Sequence, residues 1–274
     1  MAHAPKEPKV TLYWLNESRA HRILWLLEEL AVPYSLKTFT RGPDKFAPKA
    51  LKQVHPLGKA PVVTIETPGS ERPLVLAESA FVVEYLLDHF GGGRLIPRRW
   101  KDNQEDGQRT EREEEREGEN SRRVGGETEE WLRYRYYMHY TEGSLMPNLV
   151  MKVVTNVLRT APPPLIRSVF SFVASKIEEN FLDRNFTEHF DFLEEQLRTA
   201  PGGGPYITGQ ILTAADIMMS YPVIESLTRV IGQKGFGKDR YPLIRAYAER
   251  LQGSEGYKRA VAKIVEITGE FVAS

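Results

Sequence analysis

Eighteen of the thirty residues from 98 to 127 are charged, eight basic and ten acidic, and Trp100 is the only aromatic among them. Such a run cannot bury enough apolar surface to offset the entropy of ordering it, so it reads as a solvated insert and marks a domain boundary. With 274 residues the chain is long enough for one large or two ordinary domains; the boundary gives two, 1–97 and 128–274, with the insert 98–127 between them.

The two halves carry different periodicities. Residues 10–15, VTLYWL, alternate and are β-rich, and Asn16-Glu17-Ser18 then offers a turn and a cap. RAHRILWLLEEL follows with helical spacing at Ile23, Leu24, Leu26, Leu27 and Leu30. YSLKTFT, PVVTIE and PLVLA read as three further strands, and SAFVVEYLLDHF as a helix ended by Gly91-Gly92-Gly93. The order βαβ then ββα is that of a thioredoxin-like domain, with its middle βα step weakly marked around Phe46 to Gln53. From Glu129 onward everything reads helical, with an interruption expected near Asp183-Arg184-Asn185. Thr213 with Asp216 three residues later forms a capping box. The expected fold is an α/β thioredoxin-like domain followed by an all-α domain.

Lys+Arg and Asp+Glu both number 37, so net charge points neither to nucleic acid nor to an anionic membrane surface. The polar, proline-broken start MAHAPKEPK and the lack of any membrane-length apolar run make the expected setting cytoplasmic. There is no cysteine, hence no disulfide, thiolate metal site or CxxC motif, and none of the six histidines has ligand spacing, so no metal is expected. Redox members of the thioredoxin-like fold work through a cysteine of their own. Any sulfur chemistry here must use a thiol carried by a ligand.

Ala60-Pro61 opens a strand, where a proline is either an edge device or part of a special turn. An ordinary trans bond is the common case; a cis bond would turn the Ala60 backbone outward to pair with an extended peptide. Glu78-Ser79 stands where a strand ends and a helix begins. A serine with helix N-terminal amides holds a carboxylate, and a neighbouring glutamate holds an ammonium; a plain serine cap is the alternative. The γ-glutamyl end of glutathione carries both groups.

Segment 55–63, HPLGKAPVV, followed by LAES, resembles the glutathione site of cytosolic glutathione S-transferases. YWLNESRAHRILWLLEEL together with YYMHYTEGSLMP is similar to the yeast-type branch found in fungi and to related bacterial enzymes. The resemblance covers roughly 10–97 and 128–265. It implies a cis Pro61, pairing of the Ala60 backbone with the cysteinyl part of glutathione, and a γ-glutamyl site at Glu78 and Ser79. Lys59 would face the glycine carboxylate, with His55 or Lys45 as alternatives. Ser18 falls where serine-type members place the catalytic hydroxyl; Trp14 replaces the tyrosine of tyrosine-type classes, and Tyr13 should point to the other face of the strand. A plain helix cap is the competing role for Ser18. Arg19 would assist by charge.

The implied activity is thiolate formation on bound glutathione and attack on small hydrophobic electrophiles, as in detoxification, or glutathione-dependent hydroperoxide reduction. The electrophile would sit between the domains near Tyr137, Tyr140 and Met146, with His139 on the same helix, although aromatics at such positions also pack cores. A homodimer is implied by the family. A non-catalytic scaffold or regulatory module, and a glutathione-dependent biosynthetic enzyme, are the rival readings.

Overall fold

In the computed structural model, residues 7–101, 124–231 and 239–271 are described. Positions 102–123 of the charged insert lie outside them. The chain runs β1 (Lys9–Leu15), α1 (Ala20–Leu30), β2 (Tyr34–Phe39), β3 (Val62–Glu66), β4 (Leu74–Ala77) and α2 (Ser79–His89). It continues with α3 (Glu129–Tyr140), α4 (Met146–Thr160), α5 (Arg167–Ile177), α6 (Asp183–Arg198), α7 (Ala214–Arg229), α8 (Pro242–Gly253) and α9 (Glu255–Thr268).

The four strands form one sheet in the order β2-β1-β3-β4. β1 pairs with β2 in parallel and with β3 antiparallel, and β3 pairs antiparallel with β4. A parallel pair needs a crossover, and α1 supplies it. The middle helical step expected near Phe46 to Gln53 is reduced to a single 3₁₀ turn, Lys49–Gln53. Its segment, FAPKALKQ, offers only Leu51 to the core. Gly92 follows α2 because a side chain there would collide with Leu87.

Every residue of α1 from Ala20 to Leu27 is buried. The helix packs on β1 and α2 of its own half and on α7 and α9 of the other, so its apolar surface extends all the way round. A helix of this kind is the shared core of both halves.

The helical half has two long rods, each with a π turn in the middle. Thr141–Leu145 joins α3 to α4, and Glu178–Leu182 joins α5 to α6. The second lies just ahead of the interruption expected at Asp183. Each π turn shifts the helical register by one residue and aims a glutamate inward: Glu142 in the first, Glu178 in the second. Glu178 is held by Lys152 at 3.1 Å, Arg159 at 2.6 Å and the Thr155 hydroxyl at 2.5 Å.

Asp216 anchors the other end of the bundle. Fully buried, its carboxylate accepts from the Thr213 amide (2.8 Å), the Thr213 hydroxyl (2.7 Å), the Ile207 amide (3.1 Å) and the Tyr247 hydroxyl (2.7 Å). The capping box read from the sequence is therefore also a tertiary knot. Asp216→Ala leaves the buried Thr213 and Ile207 amides and the Tyr247 hydroxyl without an acceptor and is expected to cost about 3 kcal/mol or more, against about 1 kcal/mol for loss of an ordinary cap. The check is the urea midpoint of helical unfolding in the two variants Asp216→Ala and Thr213→Ala.

Candidate functional site

Three segments converge beside α1: the β1–α1 turn, the stretch from Arg41 to Ala60, and the β4–α2 junction. Between the first two and the helical half lies a cleft of about 590 Å³, lined among others by Ser18, Arg19, Lys59, Ala60, Met146 and Tyr221. That volume is in the range of small-molecule sites. A smaller recess of about 30 Å³ adjoins it, sharing Arg19, Leu57, Lys59 and Ala60 and adding His55, Pro61, Glu78 and Ser79. The Ala60–Pro61 peptide is cis.

Backbone geometry presents the recess. Glu78 adopts φ 74°, ψ 118°, a conformation costly for a residue with a side chain, typically about 1–3 kcal/mol. The turn it makes ends β4 and starts α2 at Ser79, so the first amides of that helix carry their positive dipole end there. The sequence motif thus lies at a strained strand-to-helix corner, as functional residues often do.

Ser18 lines the cleft one residue before Arg19. Its hydroxyl donates to the Leu15 carbonyl at 2.7 Å and accepts from the Ala20 amide at 3.2 Å, so it also caps the entry to α1. Tyr13 lies on the other face of the sheet, stacked on Phe39 and beneath the Lys37 ammonium, as the alternation of a strand dictates. Trp14 faces inward, into a chamber of about 20 Å³ behind Ser18 that it shares with His21, Arg22 and Tyr221. Burial holds the His21 imidazole down at about 3, so it is neutral at pH 7.

The cleft is strongly cationic. Arg19, Arg41, Lys49, Lys52 and Lys59 line it, against Glu17 and Asp44. Arg41, Lys49 and Lys52 escaped the sequence reading because they lie in the stretch after β2, where no periodicity flags a face. Lys45 does not line the cleft; its carbonyl accepts from Arg41 at 3.0 Å. His55 lines the recess rather than the main cleft.

The electrophile wall differs from expectation. Of the three residues placed there from the sequence, Met146 lines the cleft. Tyr137 and Tyr140 are instead buried in an aromatic cluster with Tyr136 and Phe192, and the Tyr140 hydroxyl meets His189 Nδ1 at 2.7 Å. Tyr137 and Tyr140 remove their rings from water against Tyr136 and Phe192 inside the bundle, while Met146 and Val150, beyond the π turn, reach the cleft. The larger apolar members of the wall are Leu15, Phe46, Leu57, Met146 and Val150, with Tyr221. Among the described residues no group of three or more His, Cys, Asp or Glu is placed to hold a metal ion.

Glu142 ties the site together. Arg19 Nη1 and Arg22 Nη1 each donate to it at 2.5 Å, one to each oxygen. Arg22 has no exposed surface and leans over the Tyr221 ring. Burial alone would raise the Glu142 carboxyl; the two arginines outweigh it and hold the group below its ordinary value of 4.5. An acid whose folded pKa is depressed adds stability above its unfolded pKa and loses it as pH falls through the folded one. Glu142→Gln, which leaves Arg22 buried without a counter-charge, is expected to cost about 3 kcal/mol at pH 7. The difference from wild type should shrink as pH drops below 4.5, as read by urea unfolding across that range.

Two family models match this chain: "Glutathione S-transferase, N-terminal domain" over residues 18–89 and "Glutathione S-transferase, C-terminal domain" over residues 165–260. The chain is 27% identical over 265 residues to Glutathione S-transferase 1 of Saccharomyces cerevisiae, covering 96% of this chain and 99% of that protein. A solved glutathione S-transferase from Actinobacillus pleuropneumoniae is similar at 26% identity and TM-score 0.62, over 93% of this chain and 92% of that one. In fold alone the chain also matches a glutathione transferase homologue from Sulfitobacter with bound glutathione, at 16% identity and TM-score 0.59, over 93% and 98% of the two chains. Both matched domains lie in the order, and at the positions, in which the sheet and the helical bundle are found, and the chain belongs to the glutathione S-transferase family.

Proposed function

We propose that this protein binds glutathione in the cleft, forms its thiolate there and directs it at small hydrophobic electrophiles. The observation that carries the reading is the pairing of a five-cation cleft with a recess built from Glu78, Ser79 and the α2 N-terminus. Glutathione has two carboxylates and one ammonium, and the two cavities divide those groups between them. In this reading residues 1–97 form the glutathione-binding domain, 98–127 a charged insert and 128–274 the helical domain. Glu78 takes the α-ammonium. Ser79 and the α2 amides take the γ-glutamyl carboxylate, the Ala60 backbone pairs with the cysteinyl unit, and Lys59 meets the glycine carboxylate.

Thiolate formation needs no general base. A free thiol has a pKa near 8.5, and lowering it by about two units requires about 2.7 kcal/mol of preference for the anion. One hydrogen bond from Ser18, turned from the Leu15 carbonyl toward sulfur, supplies about 1.5–3 kcal/mol. The amides of α1, whose first residue is Ala20, add about 0.3–1 kcal/mol, and Arg19 contributes positive charge. The thiolate then attacks an electrophile against Phe46, Met146, Val150 and Tyr221. Attack on an organic hydroperoxide would use the same anion.

A second copy of the chain fits a separate face. Leu74 and Phe81 from the first half and Leu132 and Tyr136 from the second are exposed, and Glu84 on α2 meets Arg135 on α3 at 2.7 Å. This patch spans both halves and suits a homodimer.

One observation favours a binding module without turnover: the Ser18 hydroxyl is already engaged at both ends as a cap. Retention on immobilised glutathione, combined with conjugation of a chloronitrobenzene, separates the two. Ser18→Ala is expected to lower kcat/KM about 10- to 100-fold at neutral pH and move its pH profile upward, while Tyr13→Phe leaves both unchanged. Lys59→Ala and Glu78→Gln should raise KM for glutathione with little effect on kcat. Retention without turnover in wild type would select the binding module; loss of both would end the proposal.

A further inference from the structure

The cleft holds more cations than glutathione has anionic groups to meet them. In the reading above, the γ-glutamyl carboxylate goes to Ser79 and the α2 amides, the glycine carboxylate to Lys59, and the thiolate to Ser18 and Arg19. Arg41 has its guanidinium on the Asn16, Glu17 and Lys45 carbonyls, at 3.0–3.3 Å. Lys49 and Lys52 remain. Both line the cleft, and among the described residues neither ammonium group forms an ion pair or a hydrogen bond. Asp44, an acid of the same wall, has its Oδ1 on the Phe46 amide at 3.0 Å.

Local geometry turns these two lysines to one side. They stand three residues apart on the 3₁₀ turn Lys49–Gln53, and with three residues per turn such side chains lie one above the other. Leu51 of the same turn is fully buried, which leaves the lysine face to the cleft. The Lys52 stem lies against Gly58, just before Lys59. A Cβ on Gly58 would stand 2.6 Å from Lys52 Cγ, and the backbone there has φ 59°, so glycine leaves the room that the lysine occupies. Like charges at neighbouring helical positions repel each other. An anion set between them relieves both.

Beside this pair the wall is apolar. Phe46 is 74% exposed, Leu57 59% and Val150 52%, and all three line the cleft together with Met146. Phe46 and Leu57 flank the lysine turn in the chain, so charge and apolar surface come from one short segment.

We propose that the second substrate is an amphipathic anion: an electrophile whose apolar body lies on Phe46, Leu57, Met146 and Val150 and whose carboxylate sits between Lys49 and Lys52. The assignment rests on the glutathione reading for what occupies Lys59 and the recess. Lysine acts as a point charge without the planar fork of arginine, so the site selects negative charge rather than a particular geometry, and a sulfonate would serve as a carboxylate does. A cleft dominated by one sign of charge also speeds the arrival of such a substrate.

The test uses the full chain and a matched pair, a chlorodinitrobenzoate and its methyl ester, in which the glutathione thiolate displaces the same chloride. For each compound kcat/KM is divided by its uncatalysed rate with glutathione. Wild type should favour the acid about tenfold, and about 0.5 M salt should remove most of that preference. The double variant Lys49→Gln/Lys52→Gln should bring the acid-to-ester ratio close to parity, and Lys49→Glu should take it lower still, with circular dichroism as in wild type. Calorimetry with unreactive dinitrobenzoate and its ester, in the presence of S-methylglutathione, reads the same preference without turnover. No preference for the acid in wild type, or a double variant that keeps it, overturns the proposal. So does a double variant that raises KM for glutathione equally with both electrophiles and leaves their ratio alone, which would give these lysines to the glycine carboxylate. Turnover of neither compound, with the acid still bound more tightly by wild type than by the double variant, would end the glutathione reading and leave the anion site standing.

Discussion

A guanidinium group cannot be taken out of water into a protein core unless an opposing charge goes with it, and Arg22 is fully buried in α1. The counter-charge comes from the other half of the molecule, where the π turn between α3 and α4 aims Glu142 at it. That contact, with the apolar packing of α1 on α7 and α9 and the Glu28–Arg259 pair, holds α1 against the helical bundle. Because α1 also carries the packing of the sheet, the position of the β1–α1 turn, and with it Ser18 and Arg19, is set by the same contact.

The second π turn repeats the arrangement. Glu178 gathers Lys152 and Arg159 as Glu142 gathers Arg19 and Arg22. In each rod a single extra residue per turn rotates a carboxylate inward, and two cations from a neighbouring helix converge on it. The first of these pins the domains together at the cleft; the second pins α4 to the rod of α5 and α6. Both carboxylates lie below the ordinary glutamate range despite burial acting the other way: Arg22 and Arg19 lower Glu142, and hydrogen bonds from Thr155 and Lys152, with the charges of Lys152 and Arg159, lower Glu178.

The chemistry expected of the cleft follows from what the chain lacks as much as from what it has. With no cysteine, nothing in the protein can be the sulfur nucleophile, and the cleft offers instead cations, a helix N-terminus and a strained glutamate corner. Such groups hold a charged peptide and stabilise an anion.

Much of this was legible in the sequence where local rules act alone. Strand alternation placed Tyr13 and Trp14 on opposite faces, the Thr213–Asp216 spacing gave the capping box, and HPLGKAPVV with LAES gave the recess. The middle helical step failed because its segment has one core residue, too few to hold a helix on the sheet. Tyr137 and Tyr140 were misplaced because the ring that closes their cluster, Phe192, lies far along the chain, and the pattern of one helix does not show which distant side chains cover it. Arg41 was missed because its backbone is irregular, and Lys49 and Lys52 because a single 3₁₀ turn is too short to show a period. The sequence by itself determined the strands and helices of both halves and the lack of any protein thiol, since each is written in neighbouring residues. Only the tertiary structure decided which charges meet, because Arg22 and Glu142 stand 120 positions apart and only the folded core brings them together.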